Sequence, residues 1–143
     1  MKMVAGEKIE IQCLCGAVGV ELNGPSKAQF FCHCDDCQAV HGAAYMPYAV
    51  FAKDDVNVVR GNPTSWALKG TPRTTCSQCG TRLFSEVSQV GIRSVSGGLL
   101  PKGTFQPAFH MQCRFAVRPV RDSLPHFKGF PAPFGGTDET VDW

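Results

Sequence analysis

Seven of the eight cysteines in this chain fall in three tight bunches, and this bunching restricts the fold more than any other feature. The bunches are Cys13-Leu14-Cys15, Cys32-His33-Cys34-Asp35-Asp36-Cys37 and Cys76-Ser77-Gln78-Cys79. Cysteines separated by one or two residues rarely meet with good disulfide geometry. The same spacings easily place two thiolates on one tetrahedral ion, about 2.3 Å from it. The opening residues, MKMVAGEKIEIQ, hold no apolar run of the kind an export signal needs. A cytoplasmic location is therefore expected, where thiols stay reduced and free to bind metal.

The rest of the composition sets bounds. At 143 residues, with 43% hydrophobic and 18% charged residues, the chain has enough apolar material for a core. A net charge of +2 is too small to steer a polyanion, so no nucleic-acid partner is expected. Arg114, Arg118 and Arg121 form only a short basic run. No stretch approaches the roughly 20 apolar residues of a membrane helix, so no membrane partner is expected either.

Strand signals dominate. Residues 8–13 alternate, and 17–22 alternate again after a tight turn at Cys15-Gly16. Residues 27–32, 45–52, 55–59, 64–69, 81–87, 90–95 and 108–113 also read as strands, bounded by Gly, Pro or Asn at 23–25, 61–63, 70–72 and 97–98. Helix is scarce, one turn at 38–41. The expectation is a mainly β fold, a single zinc-stabilised domain over 1–143 built of short antiparallel strands with zinc knuckles. Residues 126–143, rich in Pro and Gly, should be an irregular tail.

Cys76-x-x-Cys79-Gly80 reads as a zinc knuckle, whose following glycine lets the backbone turn so that amide hydrogens face the sulfurs. Cys13-x-Cys15-Gly16 has the same glycine after a tighter spacing. Two such half-sites would close one Cys₄ zinc between two hairpins, leaving Cys32, Cys34 and Cys37 as a three-thiolate cluster. Three protein ligands and a free position are the arrangement of a catalytic zinc. Spacing also permits Cys34 and Cys37 with Cys76 and Cys79 in one site, leaving Cys13, Cys15 and Cys32 over. Under either partition, seven cysteines do not make two complete fours.

The order CxCG, CHCxxC, CxxCG, with Gly42 after the second motif and a late SGGLL segment, resembles the glutathione-dependent formaldehyde-activating enzyme family, whose domain centromere protein V shares. The resemblance covers residues 10–125. It implies a β-rich fold with two zinc ions per chain. By position, Cys13, Cys15, Cys76 and Cys79 match the structural ligands, and Cys32, Cys34 and Cys37 match the catalytic ones. The implied activity is that of a carbon–sulfur lyase joining glutathione and formaldehyde as S-hydroxymethylglutathione. The alternative is a non-catalytic zinc module for protein interaction.

Several single residues carry weaker signals. After Cys37 the chain runs Gln38-Ala39-Val40-His41-Gly42, where many relatives carry basic residues; Arg60, Lys69, Arg73 and Arg93 are read as solvated surface charges. His33 is expected to point out of its knuckle or toward substrate. His41 and His110 are expected to pack or hydrogen-bond, and Cys113 to be a buried apolar residue in a strand. Phe127, Phe130 and Phe134 are expected to anchor the tail.

Overall fold

The computed structural model describes residues 3–143. The alternating segments form short strands: β1 (Lys8–Gln12), β2 (Gly19–Asn23), β3 (Ala28–Cys32), β4 (Met46–Ala52), β5 (Val56–Arg60), β6 (Thr64–Leu68), β7 (Thr71–Thr75), β8 (Arg82–Val87), β9 (Ile92–Ser96) and β10 (His110–Met111). One α-helix, α1 (Asp35–His41), lies between β3 and β4 in sequence. The protein is thus mainly β, with its strands in two sheets. No helix among the described residues is long and apolar enough to cross a membrane. Two compact units divide the chain, residues 3–28 with 49–105 and residues 29–48 with 106–143.

In the first unit β1, β2 and β5 form an antiparallel sheet in the order β1-β2-β5. β1 and β2 pair from Lys8 opposite Asn23 to Gln12 opposite Gly19, which leaves 13–18 as the hairpin loop. β6 to β9 form a run of antiparallel hairpins, and the one from β7 to β8 closes at Thr75 opposite Arg82, leaving 76–81 as its loop. Ile11, Val20, Leu22, Phe51, Val56, Leu83 and Val95 make the core together with Cys13 and Cys76. Each large aliphatic or aromatic side chain buried there contributes about 1.5–3 kcal/mol. Both cysteine loops are thereby anchored to the same apolar mass.

Strand β7 departs from the sequence expectation, which takes Gly70-Thr71-Pro72 as punctuation. Pro72 stands opposite Ala67 of β6, but pairing with β8 begins only at Arg73. The missing proline N–H is therefore not required by the second neighbour. Arg73 is also buried rather than solvated.

In the second unit β10 runs parallel to β3, with His110 opposite Phe31 and Met111 opposite Cys32, an exception among the short antiparallel strands that the sequence suggests. Parallel pairing needs a long connection, and the chain between β3 and β10 supplies one. The strand expected over 108–113 keeps only two residues. Gln112 adopts φ 57°, in the left-handed region, and Cys113–Phe115 turn into a short 3-10 segment, so Cys113 is buried but not in a strand. The backbone bonds go instead to the tail: His110 N–H to Pro125, Phe127 N–H to His110 and Cys113 N–H to Phe127.

α1 is longer than the single turn the sequence suggests. Cys34 caps it, its sulfur accepting the Cys37 amide at 3.1 Å. Asp35 and Asp36 lie in the first turn and His41 in the last, each complementing the helix dipole. Gly42, at φ 61°, ends the helix in the left-handed conformation that glycine adopts without strain. Phe30, Phe109, Phe127 and Phe134 form an aromatic cluster with centroid separations of 5.3–5.8 Å. Of the three tail phenylalanines, Phe127 and Phe134 join this cluster, Phe134 while 38% exposed, and Phe130 is 42% exposed.

Candidate metal centres

The loops 13–18 and 76–81 of the first unit bring four sulfurs together, Cys13, Cys15, Cys76 and Cys79, all within 4.8 Å of one another. Cys13 and Cys15 Sγ are 3.6 Å apart, and Cys15 and Cys76 Sγ are 3.7 Å apart. Four sulfurs about 2.3 Å from one zinc ion would be separated by about 3.8 Å, so the donor set fits a tetrahedral ion. Gly16 and Gly80, at φ 80° and 77°, let each loop fold back over its sulfurs. The Val18 amide then donates to Cys13 Sγ at 3.2 Å and the Cys79 amide to Cys76 Sγ at 3.5 Å.

These donors act unevenly: Cys79 and Cys13 are lowered, whereas Cys15, despite a bond from the Ala17 amide, is raised to about 11 by the neighbouring sulfurs of Cys13 and Cys79. Cys79 is held well below the usual thiol range, at about 5, by the Thr81 hydroxyl 3.0 Å away and then by the amides of Thr81 and Cys15. Burial pushes Cys13 up, but bonds from the Val18 amide, Cys15 and Cys76 outweigh it and leave the thiol lowered.

In the second unit the end of β3 and the first turn of α1 gather Cys32, Cys34 and Cys37, again within 4.8 Å. Cys37 and Cys32 Sγ are 3.8 Å apart, the edge of the same kind of tetrahedron. Cys34 and Cys37 are joined as a disulfide in this structure, although cysteines this close are expected to pair only rarely. A helical first turn brings their Cα atoms to 5.2 Å, inside the range a disulfide spans. The donor set fits a metal ion in its dithiol form, with three thiolates and no fourth cysteine. Cys113 belongs to neither cluster, and burial, with the charges of Cys32 and Asp122, pushes its thiol up to about 12.

Several polar side chains frame this cluster. The Tyr48 hydroxyl lies 3.7 Å from Cys37 Sγ and 3.1 Å from His41 Nε2. The Gln38 side-chain amide donates to the carbonyls of His33 at 2.7 Å and Phe115 at 2.8 Å. His33 is not among the cluster's ligands; its Nε2 meets His110 Nδ1 at 2.9 Å, and burial holds its basicity down to about 4.

Sequence reasoning missed a third grouping. His110, Asp122 and His126 also bring ligand atoms within 4.8 Å of one another. Asp122 and His126 stand four residues apart, but in a segment read only as loop and tail, where that spacing carries no signal. Of the cations read as solvated surface charges, Arg60 is bound to Glu10, Gln12 and the Gly16 carbonyl, and Arg93 to Glu86 and the Val56 carbonyl.

The sequence model of the glutathione-dependent formaldehyde-activating enzyme family matches residues 8–114. No curated protein matches the chain. A crystal structure of a Rhodobacter sphaeroides protein, a structural-genomics target, is similar with a TM-score of 0.55 and 23% identity, covering 67% of this chain and 90% of that one. At that identity the likeness speaks for the fold alone.

Proposed function

Because the chain belongs to the glutathione-dependent formaldehyde-activating enzyme family, we propose that it is a zinc-dependent carbon–sulfur lyase-like enzyme adding a thiol, glutathione, to a small aldehyde such as formaldehyde. One observation carries the reading. In addition to the four-sulfur set of Cys13, Cys15, Cys76 and Cys79, the chain has a second set, Cys32, Cys34 and Cys37, one cysteine short of closure. A structural zinc closes with four ligands, whereas a catalytic one keeps a position for water or substrate. Zinc held by Cys32, Cys34 and Cys37 would supply a Lewis acid that favours ionisation of a thiol near neutral pH.

The magnitude required is small. A thiol of pKa about 8.5 is only about 3% ionised at pH 7. Full ionisation is therefore worth about 30-fold, or roughly 2 kcal/mol. It is an upper bound, since a more acidic thiolate is a weaker nucleophile. Holding thiol and aldehyde together adds effective molarity.

The chain's own residues position the sulfurs. Tyr48 has one O–H, so when it donates to Cys37 Sγ its oxygen accepts from His41 Nε2–H. Gln38 pins the turn that carries Cys34 and Cys37 by bonding the His33 carbonyl ahead of it.

The test is calorimetry of glutathione binding to the reduced, zinc-loaded protein in two buffers of different ionisation enthalpy, followed by exchange spectroscopy of formaldehyde–glutathione addition. Release of about one proton and faster addition, both lost in Cys34→Ser, are expected. Binding with proton release but no acceleration would reject glutathione and formaldehyde as the reacting pair. Absence of binding by any small thiol would reject the enzyme.

A further inference from the structure

Three of the chain's four histidines, His33, His110 and His126, are buried in one group in the second unit. His110 sits on β10 and is fully enclosed. The bridge between His110 and His126 sets the two rings side by side, with centroids 4.7 Å apart. Asp122 reaches both: its Oδ2 is 2.8 Å from His110 Nε2 and its Oδ1 is 3.0 Å from His126 Nε2. The Leu124 amide steadies the carboxylate, donating to Oδ1 at 3.0 Å.

These contacts are not all hydrogen bonds. His126 is 8% exposed, and its Nε2 has no aligned partner despite the nearby carboxylate oxygen. A buried imidazole nitrogen left this way costs stability unless something else takes up its lone pair. Two ligand atoms about 2.1 Å from one ion would be about 3.4 Å apart at the tetrahedral angle and about 3.0 Å apart at a right angle, so the two separations fit an octahedral ion more closely than a tetrahedral one. From this we propose that His110 Nε2, His126 Nε2 and the Asp122 carboxylate form a metal site distinct from both cysteine clusters, taking a divalent transition-metal ion of borderline softness.

The surroundings meet the other requirements of such a site. A ligating histidine almost always engages its second ring nitrogen elsewhere, and His110 Nδ1 meets His33 Nε2 at 2.9 Å. The carboxylate is 35% exposed, which gives an ion access from solvent while both imidazoles stay buried. Trp143 packs against His126 at 4.8 Å and against His33 at 5.5 Å, shielding the rings. Two nitrogens and one carboxylate suit zinc, cobalt or ferrous iron better than magnesium or calcium, which prefer oxygen, and better than cuprous copper, which prefers sulfur. Binding through Nε2 also fixes a tautomer, with the His110 proton on Nδ1 and donated to His33.

Cobalt(II) added to the reduced, zinc-loaded full chain tests the site without reference to activity. The expected result is one further equivalent with weak visible bands and no added sulfur-to-cobalt absorption. Asp122→Asn and His126→Gln should each weaken that equivalent by about 100-fold or more while keeping their cysteine-bound zinc. In case either variant fails to fold, ¹⁵N-histidine spectra of the wild type give a second readout. The His110 and His126 rings should broaden with cobalt while His41 stays sharp. No further equivalent, one that carries sulfur absorption, one undiminished in folded variants, or unperturbed His110 and His126 rings would each overturn the site.

Discussion

His33 Nε2 and His110 Nδ1 meet at 2.9 Å in the buried part of the second unit, and this contact ties the residue between Cys32 and Cys34 to strand β10. The His33 amide also donates to the Met111 carbonyl at 3.0 Å. Main chain and side chain of the cysteine turn are thus both fixed to a strand almost 80 positions later in the sequence, with Gln38 adding a third tie. A turn held this way presents its sulfurs in one geometry, which the proposed reaction would require.

The division of labour between the cysteine sets can be read from stability. Cys76→Ser leaves an incomplete four-sulfur site and forfeits zinc energy on the order of 10 kcal/mol. That is comparable to the 5–15 kcal/mol by which domains of this kind are usually stable. The expected outcome is loss of the folded circular dichroism signal together with one zinc equivalent. Cys34→Ser should stay folded and lose only the second equivalent. A folded Cys76→Ser chain that keeps its zinc would reverse the assignment.

Cys113 separates burial from ligation. Its thiol is held in the protonated form, pushed up to about 12 chiefly by burial, and it lies outside each of the three candidate ligand groups. Cys113→Ala should retain every metal ion and cost about 1–2 kcal/mol through the small cavity it leaves. Urea unfolding and metal analysis on one preparation would check both parts.

Most of what was legible in the sequence was local. Gly16 and Gly80 mark their knuckles because left-handed backbone after a cysteine pair strongly favours that residue. The flanking strands announce themselves by alternation, and the hairpin loops carry the half-sites where the strands end. The parallel pairing of β10 with β3 was not legible, since nothing in His110–Met111 specifies a distant partner strand. The group of His110, Asp122 and His126 escaped for the same reason. It is assembled by backbone bonds between β10 and the Pro- and Gly-rich stretch after residue 124, whose composition reads only as irregular. The tie between Cys34 and Cys37 is not legible because the sequence suggests helix only from Gln38, whereas the first turn starts at Asp35.

Acid stability has an identifiable contributor in the first unit. Glu86 is lowered to about 2, first by the Ser88 hydroxyl at 2.8 Å and then by Arg93, with Lys53 adding its charge. A carboxylate whose folded value lies below its unfolded one binds fewer protons when folded. Its stabilisation is therefore complete above about 4.5, the unfolded value, and disappears as pH falls toward about 2. With solvent screening the gain is about 1 kcal/mol at neutral pH. Glu86→Gln should be less stable than wild type by that amount at pH 7, and the two should converge between about pH 4 and 2 in urea titrations.

The last prediction concerns Tyr48, whose hydroxyl lies 3.7 Å from Cys37 Sγ and 3.1 Å from His41 Nε2. The ring is buried and packs at 6.1 Å from Phe30, so replacement by phenylalanine keeps the packing and removes only the hydroxyl. If Cys37 serves as a thiolate, the O–H donates to a charged sulfur, and such a bond is worth about 1.5–3 kcal/mol. Tyr48→Phe should therefore fold and retain two zinc equivalents, but hold the second one about 10-fold or more less tightly in chelator competition. His41 then loses its acceptor, so its Nε2–H should exchange faster with solvent. Unchanged affinity at the second site in a folded Tyr48→Phe protein would show that the hydroxyl only supports His41, and would take Tyr48 out of the group that holds the sulfurs.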